Sequence, residues 1–118
     1  MTQPIPIYTE DDLKRVLARD FSMASSTVIQ EILDSYGKES WHREILRVRM
    51  ACVKLANGDI SKLKSFVGAA CSDYRDVLAW AEYPKYMSAS SPEEERRAIE
   101  TDWNQLQTWL NRTSNVAG

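Results

Sequence analysis

A chain of 118 residues and 13.5 kDa has the size of one ordinary domain, which argues against a two-domain enzyme. Hydrophobic residues make up 43% and charged residues 27%, enough to bury a core without a disulfide or a metal. Basic and acidic side chains number 15 and 17, and a net charge of −2 argues against a strongly electrostatic nucleic-acid or membrane binder.

In chain order, Pro4 and Pro6 predict an extended arm over residues 1–8, with Ile5, Ile7 and Tyr8 available to pack on the body. Thr9 reads as an N-cap, followed by Glu10, Asp11 and Asp12 where negative charge suits the helix dipole. Leu13, Val16, Leu17 and Ala18 form the apolar stripe of a first helix ending near Asp20. Ser25 or Ser26 caps a second helix carrying Val28, Ile29, Ile32, Leu33 and Tyr36, with Gly37 at its end. Ser40 caps a third, with Ile45, Val48, Cys52 and Leu55 inward, Trp41, Leu46 and Ala51 beside them, and Asn57-Gly58 closing it.

Asp59 opens a fourth helix with Ile60, Leu63, Phe66, Val67, Ala70 and Cys71 inward. Ser72 or Asp73 starts a fifth, carrying Tyr74, Val77, Leu78, Trp80 and Ala81 and stopped by Pro84. Residues 87–91 read as a linker. Ser91-Pro92-Glu93-Glu94 then combines an N-cap, a first-turn proline and a capping-box glutamate, the strongest local signal in the chain. The sixth helix runs to about Asn111 with Ile99, Trp103, Leu106 and Leu110 on one face, and residues 113–118 form a polar tail. No comparable segment alternates with period two. The expectation is one all-α domain over residues 1–118, a single bundle of five to six helices.

Scarce residue types narrow the chemistry. Two cysteines and one histidine cannot build a structural zinc site without carboxylate help. Cys52 and Cys71 fall at apolar helical positions and read as reduced, buried thiols, which fits a reducing, cytoplasmic compartment. The four glycines form no phosphate-binding loop or nucleophile elbow, so no cofactor is expected. Residues 1–12 lack the basic and apolar regions of a secretory signal, and no run of about eighteen apolar residues offers a membrane span. His42 reads as a solvated side chain in the first turn of the third helix, and Glu93-Glu94-Glu95-Arg96-Arg97 as a solvated face.

Three resemblances follow from longer stretches. Leu17 to Leu33 resembles a helix-turn-helix unit, with Ala18 at the close approach, Met23 at the apolar turn position and Val28 packing back. That resemblance makes Ser25, Ser26, Thr27 and Gln30 the DNA readers. The departures are Ser22 at the usual turn glycine and the negative Glu31 and Asp34 on the reading helix, with only Lys14, Arg15 and Arg19 nearby for phosphate. Phe21, Met23, Ile29, Ile32, Leu33 and Tyr36-Gly37 loosely resemble the start of the CUE-type ubiquitin-binding domains, which grip a partner through an exposed apolar turn. Trp41-His42-Arg43-Glu44, Gly58-Asp59-Ile60 and Asp73 to Pro84 are similar to a family of small uncharacterised bacterial proteins, which implies a self-contained helical domain.

The aromatic residues supply the leading functional expectation. Tyr74, Arg75, Trp80, Tyr83, Tyr86 and Trp109 form a candidate interaction surface, because flat apolar rings with polar tips are enriched at interfaces. Trp103 and Trp109 stand six residues apart, so one can face the body and the other a partner. The function expected from the sequence is a non-enzymatic domain that binds another protein or a second copy of itself. A helix-turn-helix regulator is the alternative, and an enzyme with an unrecognised site is third.

Overall fold

Local capping chemistry sets where the helices begin. The computed structural model describes residues 3–113, and among them lie α1 (Glu10–Asp20), α2 (Ser26–Asp34), α3 (Ile45–Ala56), α4 (Ile60–Glu82), α5 (Pro84–Met87) and α6 (Pro92–Asn111), with no strand. Thr9 Oγ1 accepts from Asp12 N (3.1 Å) while the Asp12 carboxylate accepts from Thr9 N (2.9 Å), a reciprocal capping box. Asp59 Oδ1 accepts from Lys62 N, and Ser91 Oγ accepts from Glu94 N, each at 3.1 Å. The Glu94 carboxylate turns to Ser90 N and Oγ instead of Ser91 N.

Gly58 closes the α3–α4 turn at φ +83°, and a Cβ there would stand 2.9 Å from the Asp20 carbonyl oxygen. Only glycine therefore lets this turn meet the end of α1. The closely packed pairs are α3 with α4 and α5 with α6, with α1 seated on α3 and α2 on α4. α3 is the central helix: Val48, Met50, Ala51, Cys52, Val53 and Ala56 are all buried.

Several expectations are corrected. α3 begins at Ile45 and not after Ser40, because two side chains hold residues 36–43 in a non-helical loop. The Tyr36 hydroxyl donates to Arg43 O (2.6 Å) and accepts from Arg43 N (3.0 Å). His42 Nδ1 accepts from Gly37 N (2.7 Å) and Glu39 N (3.3 Å), and its ring stacks on Tyr36 at 4.3 Å. His42 is thus 6% exposed and not a solvated helix start, while Trp41 and Ile45 face outward.

The expected fourth and fifth helices abut as α4, broken at Asp73 by an extended backbone (φ −156°, ψ 102°). Asp73 Oδ1 caps the second segment by accepting from Arg75 N at 3.0 Å. The break folds the helix back, since the rings of Phe66 and Trp80 lie 6.3 Å apart. Fourteen residues of straight helix would separate them by about 21 Å. Met87 ends the short α5 and does not begin the linker.

On α6 the buried residues are Ala98, Asp102, Leu106 and Trp109, so the inward face is rotated from the expected one. Ile99, Trp103 and Leu110 are half-buried beside it. Two long-range anchors set this rotation. Asp102 accepts from Lys85 N (3.2 Å) and Tyr86 N (3.0 Å), capping α5 from another helix, and Arg19 lies over the Trp109 ring.

The arm packs on its own body. Gln3, Pro4 and Pro6 lie against Glu82, Tyr83, Ile99, Asp102, Trp103 and Leu106 around a void of only about 10 Å³. Alternation along the extended chain buries Pro6 and half-buries Tyr8, so Ile5 and Ile7 point outward instead of packing. Among the described residues both cysteines are free, and no helix is long and apolar enough to cross a membrane.

Candidate interaction surface

The aromatic residues singled out from the sequence differ in exposure, from the open Trp80 to the buried Trp109. Trp80 is 41% exposed and packs edge-on against Phe66, across the fold-back of α4. Tyr83 and Tyr86, both half-buried, meet each other at 6.3 Å, where α4 passes into α5. Tyr74 is half-buried against the core. The exposed Arg75 guanidinium is held by Asp73 at 3.0 Å, which draws the Asp73 carboxyl below its ordinary range.

Trp109 is a correction. At 6% exposure it belongs to the core, and it cannot present a face to a partner without unfolding the end of α6. The Arg19 guanidinium sits 5.3 Å above its ring and donates to Trp109 O (2.7 Å) and Arg112 O (2.9 Å). The same group pairs with Asp20 at 2.7 Å. Arg15 adds a bond to Leu110 O at 2.7 Å. These cations meet the last carbonyls of α6, where the helix dipole is negative.

The segment that resembles a helix-turn-helix unit consists of α1, the turn at residues 21–25, and α2. Its internal packing differs. Met23 is 98% exposed instead of filling the turn, and Val28 faces outward instead of packing back. The four expected readers Ser25, Ser26, Thr27 and Gln30 are all exposed. Gln30 Nε2 donates to Asp34 at 2.7 Å, beside the exposed Glu31.

Because α1 and α2 rest on different partners, the space between them is open. It is a groove of about 420 Å³ lined by Lys14, Leu17, Ala18 and Phe21 of the α1 side, Ser22 and Ala24 of the turn, and Ser26, Ile29 and Gln30 of α2. Residues 14, 17, 18 and 21 follow the spacing of one helical ridge. On the other side of Ala18 a second depression, about 530 Å³, is lined by Arg15, Ala18, Arg19, Asn111, Arg112 and Thr113. Ala18 is the shared wall.

Elsewhere the ionisable groups act in the scaffold. The Glu82 carboxylate is bound twice by Arg47 (2.6 and 2.9 Å), which raises the guanidinium further above its ordinary range. Burial, followed by the Glu82 charge, pushes the Tyr8 phenol well above its usual value. Burial also lowers the Lys54 ammonium, with Asp102 and Glu82 opposing. Among the described residues no three His, Cys, Asp or Glu side chains gather as metal ligands.

The groove was missed in the sequence because Met23 and Val28 read as core by helix-turn-helix spacing. The usable signal was Ala18, a small residue on an otherwise charged outer face of α1. The tail expected over residues 113–118 lies outside the described residues except for Thr113. No protein-family model, curated protein or solved structure matches this chain.

Proposed function

We propose that the chain is a non-enzymatic helical binding domain that takes apolar side chains of another protein into the groove between α1 and α2. The observation that carries this reading is Met23, 98% exposed on the turn that joins the two walls of an apolar-floored groove. Flexible, polarizable methionine beside open apolar surface is a feature of contact surfaces that repack around a partner. The ionisable side chains support a non-catalytic role, since His42, Glu82, Asp102 and Arg19 are each committed to holding backbone or a neighbouring helix.

Selection of helical peptides from a displayed random library tests the reading, with each enriched peptide measured on the wild type and on Ala18→Glu. Ala18 is exposed, so the glutamate fills the groove without entering the core. At least a tenfold loss of affinity on Ala18→Glu, with thermal unfolding unchanged, is the expected result, because about 1.4 kcal/mol of contact is removed. Peptides that ignore Ala18→Glu and are lost on Trp80→Ala would move the site to the Phe66–Trp80 patch. Salt-sensitive binding of a labelled DNA duplex, lost on changing Ser26, Thr27 and Gln30, would instead favour the helix-turn-helix alternative.

A further inference from the structure

The N-terminal arm lies on the body as a ligand lies in its groove. Gln3, Pro4 and Pro6 fill the space between the end of α4 and one face of α6, over Glu82, Ile99 and Trp103, and leave a void of only about 10 Å³. Pro4 and Pro6 fix their own φ and push Gln3 and Ile5 toward extended backbone, so four successive residues hold the docked shape before they dock. Ordering such a segment costs little, which is what makes proline-bearing stretches good occupants of aromatic-lined grooves.

Packing alone holds this segment. Among the described residues, residues 3–6 make no hydrogen bond, and the Gln3 side-chain nitrogen is buried without a partner. The neighbouring α1 is fastened differently, since Arg15 and Arg19 donate to carbonyls of α6. A natural pivot separates the two. Ile7 is 91% exposed, while Tyr8 beyond it packs on the core and Thr9 caps α1. Rotation at Ile7 therefore lifts residues 3–6 and leaves Tyr8 and the cap in place. The outer face of the arm is apolar and uncovered, with Ile5 61% exposed beside Ile7.

We infer that this groove is an exchange site, filled in trans by residues 3–6 of a second copy of the chain while the second copy's groove receives the first arm. Every groove contact survives the exchange, because occupant and groove are encoded in the same chain. Four extended residues reach at most about 14 Å, so the two copies must abut along the arm itself. That contact covers Ile5 and Ile7, which the closed form leaves in solvent, and their burial is what favours the exchanged pair.

An equal mixture of isotope-labelled and unlabelled full-length protein tests the inference. The arm in cis competes at an effective concentration of the order of millimolar, so the series runs from about 0.01 to about 1 mM. Isotope-filtered spectra are expected to show contacts between Pro6 of one copy and Trp103 of the other. The dimer share, read by sedimentation, should rise about tenfold for each tenfold rise in concentration while the dimer is minor. Ile5→Ser with Ile7→Ser should lower that share about tenfold and leave the urea midpoint unchanged, since both side chains are exposed. Two further variants split the site. Pro6→Gly removes the ring that the groove buries, and Ile99→Glu spoils the groove at a half-buried position. Each alone is expected to stay monomeric, and their mixture to associate through the arm of one and the groove of the other.

A monomeric mass over the whole range, with Pro6–Trp103 contacts only inside one chain, would overturn the inference. Dimers that persist in Pro6→Gly would place self-association on another surface and overturn it equally. So would unfolding of both Pro6→Gly and Ile99→Glu, which would make the arm an inseparable part of the core. Binding to Pro6→Gly of a peptide with the arm's residues in shuffled order, as tight as that of the arm peptide, would assign the groove to extended segments of other proteins instead of a second copy.

Discussion

Replacing Arg19 tests the junction between α1 and α6 at its center. Its guanidinium makes two short bonds to carbonyls at the end of α6, a fork to Asp20 at 2.7 and 3.1 Å, and a stacking contact with Trp109. Arg19 and Asp20 side chains are each 5% exposed, so solvent replaces little of what is lost. Hydrogen bonds from a charged donor are worth about 1.5–3 kcal/mol each, and these contributions overlap. Among the described residues, Arg19→Met also leaves Asp20 with Arg112 alone at 3.4 Å, and a buried charge that loses its partner costs about 3–5 kcal/mol. We expect a net loss of about 4 kcal/mol. With a urea slope near 2 kcal/mol/M, the unfolding midpoint falls by roughly 2 M. Arg19→Lys should recover less than half of this, because a point charge cannot span Asp20 and the α6 carbonyls together. A midpoint shift below about 0.5 M for Arg19→Met would refute the account, and would free Arg19 for ligand contact.

Three further outcomes are expected. A Cβ on Gly68 would meet nothing within 4 Å, so Gly68→Ala should stabilise by about 0.5–1 kcal/mol in urea unfolding. Burial pushes the Cys52 thiol up to about 12, whereas Cys71 is partly accessible beside Ile32 and Gly68. At pH 8 a disulfide reagent should therefore modify one thiol quickly, and the second only once urea unfolds the chain. Asp73 is held below its ordinary range by Arg75, so its contribution is present above the ordinary carboxylate range and is lost as pH falls through the depressed value. The wild type should thus lose slightly more stability than Asp73→Ser between pH 6 and 2, measured as urea midpoints, with the effect small because both groups are exposed.

What was legible in the sequence lies within a few residues of its cause. Thr9 with Asp12, Asp59 and Ser91 each cap through a neighbour three positions on, so the starts of α1, α4 and α6 read directly. The break was visible as the start of a separate helix at Ser72 or Asp73, although nothing local shows that it folds Trp80 onto Phe66. The face of α6 was misread because Asp102 and Trp109 answer to Tyr86 and Arg19, sixteen and ninety residues away. His42 was misread for a different reason. Its partners, Gly37 and Glu39, are close in sequence, but a ring that accepts two backbone bonds leaves no periodic trace. The groove arises from α1 resting on α3 while α2 rests on α4, a choice of partners that periodicity does not encode.

The junction of the first and last helices also orders the events of synthesis. Arg15 and Arg19 reach carbonyls 95 and 90 residues further along the chain, and the arm lies against Ile99, Trp103 and Leu106. A chain emerging from the ribosome can pair α3 with α4 as soon as both are outside, since they are joined by a short turn. The arm and α1, made first, must wait for α6 before their final contacts exist. Until then Pro6 and Arg19 lack the partners that α6 supplies, so segments made early are among the last to complete their contacts.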